Sequence, residues 1–358
     1  MSSMKKVHHN EDGLVAIIVS TIIMVILSLT TLGFARLMQR EQRQALDRSL
    51  STQAFYAAES AVNDVAQKIN SNTLPPLDKK TCDTTGADGN PYNGSIDPSL
   101  SVSYSCLLIT QSPLTLEYTN GSISTNSSKI VAVSGSNNEP IHTIKIDWEG
   151  ATKNVTGSTY DCSGVRYPSA SNWGFKTGIL RVDVIPADAL DRASLINNMI
   201  TVFLYPSCST GVSTIDYSTL SGAYNTGKII PVGCKDGTPP YGGSDDRTRD
   251  CQINITTTGH ENKLYYLRLK SIYVPSNVTI RLFDTAIQQI SIKNAQVQVD
   301  ATGKVNDVLR RVQVRIPVKI TMPLPEAALQ TTNSICKLLG FAPPAGASPA
   351  FVDTSCPD

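Results

Sequence analysis

Charge is scarce in this chain. Only 17% of its 358 residues are Asp, Glu, Lys or Arg, and 31 basic against 30 acidic residues leave a formal charge of +1. Soluble domains carry about 25% charged residues, and a nucleic-acid binder needs a basic field to draw phosphates to it. Nucleic acid is therefore not an expected partner. Aromatics are also few, at 6% with 2 Trp and 13 Tyr dispersed along the chain, and there are 4 His. His260-Glu261 opens like a zincin motif, but Asn262, Lys263 and Leu264 follow, so the second metal histidine is missing. Gly303-Lys304 lacks the upstream glycine and the following Ser or Thr of a phosphate loop, and no serine stands in a G-x-S-x-G turn. No CxxC or CxxH pair exists that could begin a zinc knuckle. The expectation is a protein that is not an enzyme and holds no cofactor or metal.

What the chain does have begins at its amino-terminal end. Leu14 to Ala35 reads LVAIIVSTIIMVILSLTTLGFA, 22 residues with neither charge nor proline. As a helix that run is about 33 Å long, enough to span a bilayer. It exceeds the apolar stretch of about 7–15 residues in a removable secretory signal, so a retained membrane helix is expected. Its hydroxyls, Ser20, Thr21, Ser28, Thr30 and Thr31, should bond their own preceding turn. No Gly or Pro occurs from Arg36 to Asn72, so the helix should continue beyond the membrane until Pro75 and Pro76 stop it. Leu46, Leu50, Ala54, Ala58, Ala61, Val65 and Ile69 recur at three- and four-residue spacing. That apolar stripe should pack on a globular domain, with Arg43, Asp47, Asn63 and Gln67 off it.

All eight cysteines follow the span: Cys82, Cys106, Cys162, Cys208, Cys234, Cys251, Cys336 and Cys356. An even set on one side of a membrane reads as a disulfide framework in an oxidising compartment. Lys5 and Lys6 before the span are outnumbered by Arg36, Arg40, Arg43 and Arg48 after it, which by the positive-inside rule points the other way. The cysteines outweigh that count, and the domain after the helix is expected outside the cytoplasmic membrane.

A short polar leader ending in Gly13, an uncharged run from Leu14 and one unbroken helix entering a cysteine-bearing β region together resemble a type IV pilin or pseudopilin. The stretch Gln53-Ala54-Phe55-Tyr56-Ala57-Ala58-Glu59-Ser60-Ala61 is similar to the signature of minor pilins with a PilX-type amino-terminal region, and the likeness covers residues 1–70. The resemblance implies cleavage by a prepilin peptidase after Gly13, methylation of the new terminus at Leu14, and packing of the helix against other pilin subunits and membrane lipid. Two positions depart from the family pattern. Glu11 and Asp12 stand where leaders carry basic residues, and Ile18, fifth from Leu14, stands where major pilins carry a buried glutamate. A subunit without that carboxylate has no partner for an amino terminus above it, which suits a minor subunit at a filament tip, priming assembly or displaying a surface that binds an unidentified ligand. The alternative is a single-pass surface adhesin or receptor-like protein that never enters a pilus.

The rest of the chain, with 23 Gly and 20 Pro, reads as turn-rich β structure. Thr81 to Asn126 reads as loops pinned by Cys82 and Cys106, with one strand near Leu100–Ile109. Further strands are expected at Lys129–Ser134, His142–Glu149, Gly178–Ile185, Met199–Tyr205, Gln252–Thr257, Lys263–Ile272, Val278–Phe283, Ala295–Asp300 and Asp307–Val318. Alternation in Thr143–Trp148, Arg181–Val184 and Arg311–Ile316 predicts sheets with one wet face carrying the charges. Asp300–Lys304 is the hairpin turn candidate, local ion pairs are expected among Asp245, Asp246, Arg247, Arg249 and Asp250, and Cys336–Cys356 is a candidate bridge for the tail. The expected class is thus α+β: a polar leader over 1–13, a membrane half-helix over 14–35, an amphipathic half over 36–72, and a mostly antiparallel, disulfide-bearing β region over 73–358.

Overall fold

The computed structural model describes residues 12–71, 73, 78, 80–82, 94–99, 101–136, 138–151, 172–187, 190–207, 213–220, 228–235 and 245–318. One helix, α1 (Asp12–Asn70), runs unbroken for 59 residues, about 88 Å at the rise of an α-helix. It starts at Asp12, so Gly13 lies in its first turn. The hydroxyls of the apolar half bond back as foreseen: Ser28 donates to the Met24 carbonyl at 2.7 Å, Thr21 to Ile17 at 2.9 Å and Thr31 to Leu27 at 2.8 Å. These bonds hide polar groups inside the helix's own backbone and leave an apolar exterior.

Three sheets follow. The first, in order β1 (Gly94–Asp97), β2 (Val102–Thr110), β15 (Gln296–Val305), β16 (Val308–Pro317), is antiparallel and lies against the second half of α1. Ala58, Ala61, Val62 and Val65 of the helix are buried there on Leu107, Ile109, Val297, Val299 and Ala301, and Ala54 and Ala57 on Val102 and Val305. Leu46 is not part of this contact. It is 59% exposed, because it lies a full turn before Leu50, where the sheet first meets the helix.

The other two sheets form a sandwich. One has β13 (Gln289–Ile290), β12 (Ser276–Phe283), β5 (Thr143–Gly150), β10 (Cys251–Thr256) and β8 (Thr214–Asp216) in that order, with β3 (Thr115–Ile123) also pairing β12. The other runs β14 (Ile292–Lys293), β4 (Lys129–Gly135), β11 (Leu264–Ile272), β6 (Ile179–Pro186), β7 (Ile200–Ser207), β9 (Lys228–Gly233). Pairing is antiparallel except at β10 with β8 and β7 with β9. Ile144, Ile146, Trp148 and Ile280 from one sheet meet Val182, Val202, Leu204 and Leu267 from the other in a single core. Alternation, with apolar residues inward, is what makes these runs strands.

Two disulfides are present among the described residues. Cys82–Cys106 ties the chain after α1 to β2, and Cys234–Cys251 joins the end of β9 to the start of β10. Cys162, Cys208, Cys336 and Cys356 lie outside the described residues.

Two local expectations are corrected. The hairpin between β15 and β16 turns at Asn306–Asp307, not within Asp300–Lys304, and Asn306 takes the positive φ of 51° that such a two-residue turn requires. Gly303 has another reason to be glycine: a Cβ there would stand 1.9 Å from the Ala54 carbonyl oxygen and 2.6 Å from the Ala58 nitrogen. Helix and sheet backbones approach each other closely there. Second, the charged faces are not uniformly wet. Asp147 and Asp183 are fully buried, because arginines reach them: Arg281 to Asp147 at 2.8 Å, and Arg181 to Asp183 at 2.9 Å.

Candidate functional site

The helix divides sharply into a docked and a bare half. From Leu50 onward one face is covered by the first sheet, whereas every residue from Val15 to Ser49 is exposed. The bare half contains the apolar run, whose mean hydropathy reaches 2.6, and is long and apolar enough to cross a membrane. Ile18 is 50% exposed on it, and no carboxylate occurs between Gly13 and Arg40. Gly13 and Leu14 lie in the first turn of α1.

The Gln53–Ala61 motif acquires a structural meaning. Ala54, Ala57, Ala58 and Ala61 are its buried small residues, and they let the helix backbone approach Gly303. Phe55 and Tyr56 point outward, 46% and 62% exposed, with their rings edge to face at 5.9 Å. Polar clamps lock the docked half in register: Arg310 donates from Nε to Ser51 Oγ at 2.7 Å, and Tyr104 donates from its hydroxyl to Asp64 at 3.1 Å. Burial and then the Asp64 carboxylate push the Tyr104 phenol above its ordinary pKa.

The other dense polar cluster lies on the outer face of the β12–β5–β10 sheet, under the segment 245–250. Local pairing there is only part of the picture. Asp245 does bond Arg247 and also Lys235, but Asp246 reaches Lys145 at 2.7 Å and Arg281 at 3.0 Å, and Arg249 reaches Glu149 at 2.8 Å. Thr248 donates to Asp147 at 2.9 Å. Burial pushes the Asp147 carboxyl up, opposed by Arg281 and Thr248. For Asp245 and Asp246 burial again works upward, but the bonds from Lys235 and Lys145 and the nearby arginines outweigh it and hold both carboxyls below the usual range. Most of these groups satisfy one another, Asp147 Oδ1 and Arg281 Nε being left without a hydrogen-bond partner among the described residues, and the cluster fastens the segment that leads into Cys251 to the sheet. It is a clasp, with no arrangement of nucleophile and base. Among the described residues no group of His, Cys, Asp and Glu is placed to hold a metal ion.

Sequence reasoning had no access to three of these features. Gly303 looked like a turn glycine, the Asp147–Arg281 pair spans 134 positions, and the outward aromatics sit inside a stripe otherwise read for its alanines. Comparison with protein-family models, curated proteins and solved structures finds no match for this chain.

Proposed function

We propose that this chain is a minor pilin-like structural subunit of a type IV pilus or related filament, anchored by its helix and displaying the β domain at or near a tip. The observation that carries the reading is the division of α1: about fifty ångströms of apolar and neck helix without a contact, continuous with a half that is clamped to a sheet. Its apolar part, about 33 Å long, has to be covered by lipid or by other helices. Both covers fit a subunit that waits in the membrane and then enters a helical core, with prepilin peptidase acting at Gly13–Leu14 and other pilin subunits as partners. The absence of a carboxylate at Ile18 favours a rare, terminal place over a repeated one.

Location tests this. Immunogold labelling of sheared filaments should mark their ends, a few particles per filament. Label at regular intervals along the fibre would contradict the tip position, and complete retention in the membrane after shearing would favour the anchored adhesin.

A further inference from the structure

We propose that Arg36, Arg40 and Arg43 form a phosphate-binding stripe that holds anionic phospholipid headgroups in the leaflet facing the β domain. The inference rests on the membrane-spanning part of the proposed function, and not on the filament.

Height on the helix is the first argument. The uncharged run Leu14–Ala35 is about as long as the hydrocarbon core is thick, so Arg36 stands at its boundary. Arg40 follows about 6 Å higher, within the headgroup layer, which is about 5–7 Å deep on each side, and Arg43 about 10 Å higher, just above it, from where a long side chain leaning toward the helix's amino-terminal end reaches back down to the phosphates. Arg48, about 18 Å above Arg36, is beyond it.

Direction is the second. Eighteen residues make five full turns of an α-helix, and Arg36, Arg40 and Arg43 each precede by 18 positions one of the buried alanines Ala54, Ala58 and Ala61. The arginines therefore continue, toward the membrane, the same face that docks the sheet. Arg43 belongs on that face, as does Asp47, contrary to the expectation that both lie off it. Three cations are thus gathered beneath the domain on one side of the neck, and not spread around it.

The third argument is that they are unused. All three are exposed and none makes an ion pair or side-chain hydrogen bond among the described residues, in a protein whose buried arginines are matched carefully to carboxylates. Glu41 lies about 100° around the helix from Arg40, and Asp47, one turn above Arg43 on the same face, makes no ion pair with it, so carboxylates on the same element leave the stripe unpaired. The guanidinium fork is permanently charged and matches phosphate oxygens two at a time. A zwitterionic headgroup answers part of its phosphate charge with its own ammonium; an anionic one leaves the phosphate free for arginine.

The test uses the full chain reconstituted in vesicles of roughly four parts phosphatidylcholine to one of phosphatidylglycerol, then released in mild detergent and weighed with its bound lipid by native mass spectrometry. Wild type should retain phosphatidylglycerol about tenfold or more above its share of the vesicle, since each arginine near an anionic surface is worth about fivefold. The variant Arg36→Gln/Arg40→Gln/Arg43→Gln should retain lipid in the vesicle's own ratio, whereas Arg48→Gln should behave as wild type. Resistance to alkaline extraction separates the two levels of the argument. A wild-type chain that is washed off the vesicles contradicts membrane spanning itself. One that stays inserted but shows no enrichment, or an enrichment the triple variant keeps, overturns the stripe alone. Displacement of the retained lipid by inorganic phosphate would show an ordinary anion site and overturn the lipid assignment. Unchanged lipid retention in the triple variant, together with fewer labelled filaments, would assign the stripe to an acidic protein surface instead.

Discussion

Replacing Gly303 by valine is expected to undock α1 from its sheet. The new Cβ would fall 1.9 Å from the Ala54 carbonyl oxygen, 2.6 Å from the Ala58 nitrogen and 3.0 Å from the Ala54 carbonyl carbon. All are backbone atoms of a continuous helix, so no side chain can swing aside to make room. Overpacking a core ordinarily costs about 1–3 kcal/mol, and here the helix must retreat bodily, which also loosens Ala58, Ala61 and Val65 from Leu107 and Val299. The expected cost is therefore at the top of that range or above it, with Gly303→Ala smaller but clearly destabilising. Amide exchange in the detergent-solubilised full chain is the readout, with protection falling first in β2, β15 and the docked half of the helix. Gly174→Ala is the control, since a Cβ there meets nothing within 4 Å, and its effect should stay within about 0.5 kcal/mol. Unchanged protection in Gly303→Val would mean that the helix does not lie where the structure puts it.

The second large effect is expected at Arg281. Its guanidinium answers Asp147, which is fully buried, and extends to Asp246 on the segment above. Arg281→Met strands the Asp147 carboxylate in a dry site, and removing one partner of a buried pair typically costs about 3–5 kcal/mol. Asp147→Leu should cost less, because Arg281 keeps Asp246, whose side chain is 48% exposed. The double variant Asp147→Leu/Arg281→Met should recover most of the loss, since replacing a whole buried pair by apolar residues is often close to neutral. Denaturant unfolding followed by tryptophan fluorescence measures this, because Trp148 is fully buried on the same strand as Asp147. Additive losses in the double variant would show that the two charges do not depend on each other.

What could be read in advance follows from how local each signal is. The helix was legible because charge and helix breakers are both missing over long stretches, and each of those absences is a property of neighbouring residues. The strands from Lys129 to Val318 that alternate apolar and polar residues were legible for the same reason, to within a residue or two at most ends. The missed strands carry contrary local signals. β3 contains Asn120-Gly121, which reads as a turn and is in fact a kink at φ 55° and 68°, and β9 contains Pro231, tolerated because it lies on the edge of its sheet. β1 and β8 are only 4 and 3 residues long and owe their existence to a neighbour. Cys82–Cys106 and Cys234–Cys251 join cysteines adjacent in sequence, which makes them the simplest pairing to guess, yet only the fold selects them over the alternatives. The close approach at Gly303 and the clasp around Asp147 join residues more than a hundred positions apart, and nothing local announces them.

The central claim is that the bare half of α1 is a processed filament helix and not a simple anchor. Mass spectrometry of the amino terminus, on protein recovered from sheared filaments, tests it most directly. The account predicts a terminal peptide beginning at Leu14 and carrying one added methyl group, and a peptide still containing Met1, or a terminus elsewhere in the leader, would contradict it.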